Sequence, residues 1–185
     1  MGTTMNAQAL TLTLTLLVSA AQAEEIPPPA YHIAAHAASV PSDVLYALAM
    51  QESGTPLRGK LIPWPWTLNV ATVSYRYPTR AAACSALLQA IHQVGAKHID
   101  AGLGQLNLGW QRERLTHPCD ALDPYLNLSI AARILAEHKP RSTSWVDAAG
   151  RYHRPAGGKP AERYRQSFAR HLKRIRGTSY ALGDL

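Results

Sequence analysis

Val44-Leu45-Tyr46-Ala47-Leu48-Ala49-Met50-Gln51-Glu52-Ser53-Gly54 is the stretch on which the reading of this chain turns. Leu45, Leu48 and Glu52 stand at i, i+3 and i+7, so a helix over this run puts all three on one face. Pro41-Ser42-Asp43 supplies the start signals of that helix and Gly54 its stop. A face that carries Leu45, Leu48 and Ala49 points into a core, and a carboxyl carried with them is pushed toward its neutral form. A carboxylic acid that keeps its proton near neutral pH is what general acid catalysis requires. The plainer reading of the same residues is a glutamate at a fraying helix end, turned to water. The helix alone does not choose between them.

Upstream, Leu10 to Val18 is a short apolar, threonine-rich run, followed by Ala21-Gln22-Ala23, a small-x-small cleavage pattern. The run is too short to anchor in a bilayer. The expectation is a secretory signal over residues 1–23 and one exported domain over residues 24–185, with no transmembrane segment after cleavage. The n-region departs from the usual pattern in having no Lys or Arg. The 185 residues carry 19 Lys+Arg against 12 Asp+Glu, a formal net charge of +7. A basic exported protein meets anionic polymers: cell wall, anionic lipid or nucleic acid. Export and sparse interleaving of aromatic with basic residues argue against nucleic acid.

Two cysteines, Cys84 and Cys119, in an exported chain suggest one disulfide; two unlinked thiols are the alternative. Downstream of Gly54, Thr55 to Pro65 reads as irregular because of Pro56, Gly59, Pro63 and Pro65. Trp66 to Tyr77 alternates with period 2 and reads as a strand or small hairpin. Trp64, Trp66, Tyr75 and Tyr77 suit either stacking on sugar rings or a satellite core. Further helices are expected over Tyr31–Ser39, from the Pro78-Thr79 cap to Gly95, over Pro124–His138, Ser144–Tyr152 and Pro160–Arg176. The third-to-last of these carries Leu128, Ala131, Ala132 and Leu135 as its stripe, and the last buries Tyr164, Phe168, Leu172 and Ile175. Between Gly95 and Pro124 lies Asp100-Ala101-Gly102-Leu103-Gly104-Gln105-Leu106-Asn107. Its glycines permit close backbone approach to a ligand, and Gln105 and Asn107 offer donors and acceptors suited to hydroxyl and acetamido groups. By itself this is also an ordinary turn with polar ends. No metal-ligand spacing, phosphate loop or nucleophile elbow is present, and no cofactor is implied.

Taken in order, Glu52-Ser53-Gly54, Gly102-Leu103-Gly104-Gln105, Asp123-Pro124-Tyr125-Leu126-Asn127-Leu128 and Ala149-Gly150-Arg151-Tyr152-His153 resemble the four motifs of the soluble lytic transglycosylase family, across about Tyr31 to Arg176. The Pro65–Val70 stretch looks like the subgroup attached to conjugation and type IV secretion machinery. The resemblance implies a mainly α (α+β) fold, a lysozyme-like helical domain with a small β-hairpin insertion. It implies a periplasmic enzyme acting on peptidoglycan glycan strands, with Glu52 as the single catalytic acid. Ser53 is then expected to hold the Glu52 region, Gln105 to line the sugar cleft beside Asn107, and Tyr152 to orient the carboxylate. Gly104 stands where the family has Met, and His153 where it has Asn. Two other functions fit the residues: a hydrolytic muramidase with Asp100 as second carboxylate, Asp100 otherwise being a turn residue, and a non-catalytic wall-binding assembly factor.

Overall fold

The computed structural model describes residues 25–177. The leader expected over residues 1–23 and the loose C-terminus expected beyond Gly177 lie outside them. Among the described residues, six α-helices and six short strands follow one another as α1 (Pro29–Ala37), α2 (Ser42–Ser53), β1 (Gly54–Leu57), β2 (Lys60–Pro63), β3 (Thr67–Val70), β4 (Val73–Arg76), α3 (Arg80–Val94), β5 (Ile99–Ala101), β6 (Leu106–Asn107), α4 (Pro124–His138), α5 (Trp145–His153) and α6 (Lys159–Arg176).

The α2 helix is the axis. Its apolar run is longer than one face, and residues 44–50 are all 5% exposed or less. A helix apolar all round is one enclosed by others, and α1, α4, α5 and α6 share one hydrophobic core with it. The stripes expected on α4 and α6 are buried as read, from Leu128 to Leu135 and from Tyr164 to Ile175. Caps set the helix bounds: Thr79 Oγ1 accepts from Ala82 N at 3.2 Å, Asp123 Oδ1 from Tyr125 N and Leu126 N at 3.0 Å, and Ser144 Oγ from Asp147 N at 3.2 Å.

The sheet content exceeds the single hairpin expected. Residues 55–65 were read as irregular, yet β1 and β2 pair antiparallel through a turn whose residues, Arg58 and Gly59, both have positive φ (49° and 75°), a twist that matches a tight hairpin. Pro56 and Pro63 are tolerated because a two-stranded sheet has only edges. The period-2 stretch forms β3 and β4, and β5 and β6 extend it to a four-stranded sheet in the order β4-β3-β5-β6. A second core lies under this sheet, built from Leu68, Ala83, Leu87, Ile99, Leu108 and Leu122 among others. Leu88, read on the α3 stripe, is 36% exposed instead. Trp66 and Tyr77 pack on this second core. Trp64 donates its indole N–H to Tyr77 O at 2.8 Å, whereas Tyr75 is exposed.

Cys84 on α3 and Cys119, in a 3-10 turn at Pro118–Leu122, are joined by a disulfide with Cα atoms 5.3 Å apart. Among the described residues no single helix is long and apolar enough to cross a membrane.

Candidate active site

The site lies where the two cores meet, at the C-terminal end of α2. The apolar run commits α2 to the interior, so its last turn delivers Glu52 beside α6 rather than into open water. Tyr164 of α6 donates its hydroxyl to Glu52 Oε1 at 2.5 Å. Burial raises the Glu52 pKa to about 7; the Tyr164 hydrogen bond opposes the rise, and the charge of Asp100 adds to it. Tyr164 was read from sequence as a core residue, and its ring is one, at 7% exposed. A tyrosine on a buried stripe must still place its hydroxyl on a partner, and that requirement is the signal that could have pointed to Tyr164, though not to which partner.

Ser53, fully buried, points the other way. Its hydroxyl reaches Ala49 O at 3.0 Å and Leu103 O at 2.9 Å. It thereby ties the end of α2 to the loop between β5 and β6. That loop is anchored from behind by Asn127 of α4, a buried residue to which the sequence assigned no role. Asn127 Oδ1 accepts from Gly104 N at 2.7 Å, and Nδ2 donates to Ala101 O at 2.9 Å and Ala121 O at 2.7 Å. The glycines of the loop are therefore spent on packing. Gly102 has φ 80°, and a Cβ there meets Asn127 Nδ2 at 2.1 Å. At Gly104 a Cβ meets Ala131 Cβ at 2.6 Å and the Tyr152 hydroxyl at 3.0 Å, so this chain has no room for the Met expected from the resemblance.

Three expected roles change. Tyr152 was expected to orient the carboxylate, but its hydroxyl donates to Gly104 O at 2.6 Å; Tyr164 holds Glu52 instead. Tyr152 remains close enough for the charge of Glu52, after burial, to raise its pKa. Asn107 was expected at the sugar cleft. Its amide donates to Lys97 O at 3.0 Å and Asp100 Oδ1 at 2.9 Å, while its carbonyl accepts from Gly109 N and Trp110 N, both at 3.1 Å. With each of its polar atoms engaged twice inside the turn, Asn107 staples the hairpin and positions Asp100. Asp100 itself lies in β5 rather than in a turn, and burial raises its pKa against the Asn107 hydrogen bond and the charge of His153. Gln105 has φ 46° and donates Nε2 to Gly102 O at 2.9 Å and Thr67 O at 3.2 Å; it is half-buried, with its carbonyl end unengaged by these bonds.

His153, at the end of α5, stacks on the Tyr164 ring with centroids 4.5 Å apart and planes 7° from parallel. The arrangement is thus one high-pKa carboxyl, a tyrosine that holds it, and a second carboxyl across the seam on the sheet. Chemically it can deliver a proton near neutral pH and take one back. No protein-family model matches the chain, and no curated protein or solved structure matches it.

Proposed function

We propose that the chain is an exported peptidoglycan lytic transglycosylase with a lysozyme-like arrangement, one that opens the wall locally for a secretion or conjugation apparatus. The observation that carries this reading is Glu52, a carboxyl at the end of a helix buried from Val44 to Met50, with its pKa raised to about 7 and a single tyrosine on its oxygen. A proton held to that pH is available to a poor leaving group. Glu52 protonates the glycosidic oxygen between N-acetylmuramic acid and N-acetylglucosamine as the bond to C1 breaks, and the departing sugar keeps that proton as a hydroxyl. The Glu52 carboxylate, steadied by Tyr164, then takes the proton of the muramic 6-hydroxyl as its oxygen bonds to C1. The acid is restored, a 1,6-anhydro ring is formed, and no water is consumed. The net charge of +7 suits a wall rich in carboxylates.

Mass spectrometry of purified wall digested with residues 24–185 tests this. Products ending in anhydro-muramic acid, about 18 Da lighter than hydrolysis products, are expected. Glu52→Gln is expected to fold and to leave the wall intact; clearing at the wild-type rate overturns the assignment.

A second reading, a hydrolytic muramidase, is favoured by one observation: the charge of Asp100 reaches Glu52. A hydrolase canonically needs two carboxyls, about 5 Å apart to retain and roughly 6.5–9.5 Å to invert. Reducing muramic ends, together with an inactive Asp100→Asn variant, establish that reading.

A further inference from the structure

The acid is held by a tyrosine, and the tyrosine is itself held. Tyr164 is buried on α6, and its hydroxyl, which lies on the ring axis, reaches Glu52 only while the ring as a whole stays where it lies. The ring is overlaid by the imidazole of His153, nearly parallel at 4.5 Å, a geometry in which flat side chains attract beyond their buried area. His153 is the last residue of α5, is itself exposed, and stands where the resemblance leads one to expect asparagine, which has no ring to stack. We propose that His153 is a positioning residue: its ring, stacked on Tyr164, keeps the phenol hydroxyl on Glu52. The inference rests on the reading of Glu52 as the acid.

The charged groups facing the imidazole fit a neutral ring. Burial lowers the His153 pKa, Arg154 lowers it further, and Asp100 opposes them. Burial and Arg154 both act against a charge on the ring, so the role proposed for His153 rests on its plane over Tyr164.

A double-mutant cycle isolates this, because residues that act through one another are non-additive. The Glu52 carboxyl is titrated by carbon-13 NMR in the free protein, so the result stands whether or not the chain cleaves glycan. Tyr164→Phe removes the bond that lowers the Glu52 pKa, so it shifts that pKa upward. In a His153→Ala background the same substitution is expected to give a smaller rise. In His153→Phe, which restores a flat ring, the full rise is expected to return. On wall substrate, His153→Ala is expected to lower kcat by roughly twofold to tenfold, with KM unchanged and little further loss when Tyr164→Phe is added. An undiminished rise in the His153→Ala background overturns the inference. A rise that stays small in His153→Phe overturns the ring stack as its basis. Cleavage that fails in the wild type, with the cycle still non-additive, overturns the proposed function and leaves the positioning intact.

Discussion

At the scale of the residue, Glu52 is a carboxyl whose site opposes its charge. Its folded pKa of about 7 lies above the 4.5 of an unburied glutamate, so between those values the folded chain binds more protons than the unfolded one. Stability contributed by the protonated form is therefore complete at low pH and is lost as pH rises from about 4.5 toward 7. The loss above that window is on the order of 3 kcal/mol. Glu52→Gln keeps an oxygen for Tyr164 and never ionises. It is expected to raise the thermal midpoint at pH 8 and to leave it nearly unchanged at pH 4, read by calorimetry at both pH values. In the active protein the same titration sets a limb: cleavage requiring protonated Glu52 is expected to fall as pH passes upward through about 7, and a rate flat from pH 5 to 9 excludes that role. The sequence showed the buried carboxyl, because a carboxyl closing an apolar helix is conspicuous. It did not show the partner, because nothing in residue spacing says which of two tyrosines, Tyr152 or Tyr164, points its hydroxyl at Glu52. That is decided by packing: α6 brings Tyr164 to the end of α2, and α5 brings Tyr152 to Gly104.

At the scale of the element, the site is a loop held from three sides. Ser53 holds Leu103 from α2, Tyr152 holds Gly104 from α5, and Asn127 holds Gly104 and Ala101 from α4. Helices were legible because their ends carry local chemistry, as Thr79, Asp123 and Ser144 show. The β1–β2 hairpin was not, because Pro56 and Pro63 argue against a strand unless both strands are edges, a fact of topology rather than of sequence. The same limit hid Asn127, two of whose three partners, Gly104 and Ala101, are distant in the chain. Asn127→Leu fills a similar volume but leaves Gly104 N, Ala101 O and Ala121 O unpaired in a buried place. An unpaired buried group costs about 1–3 kcal/mol, so a loss of at least about 3 kcal/mol is expected in urea unfolding. A midpoint unchanged from wild type means that the loop is held without it.

At the scale of the whole molecule, one core surrounds α2 and a second lies beneath the four-stranded sheet, with Glu52 supplied by the first and Asp100 by the second. The disulfide belongs to the second: Cys119 is part of that core and Cys84 packs against it. It closes a span of 35 residues, and removing such a cross-link frees the unfolded chain at a cost of about 3–4 kcal/mol. The bond links α3 to the turn that runs directly into the Asp123 cap of α4, so the sheet side loses one of its ties to the helical side when it opens. Replacing both cysteines by serine is expected to lower the thermal midpoint by roughly 6–16 °C. Amide exchange distinguishes where the loss falls. Protection over β3, β5 and α3 is expected to drop first, while α2, α4 and α6 keep theirs, because their contacts lie in the other core. Exchange that quickens equally in both places means that the two cores unfold as one unit and that the disulfide stabilises the whole chain rather than the sheet that carries Asp100.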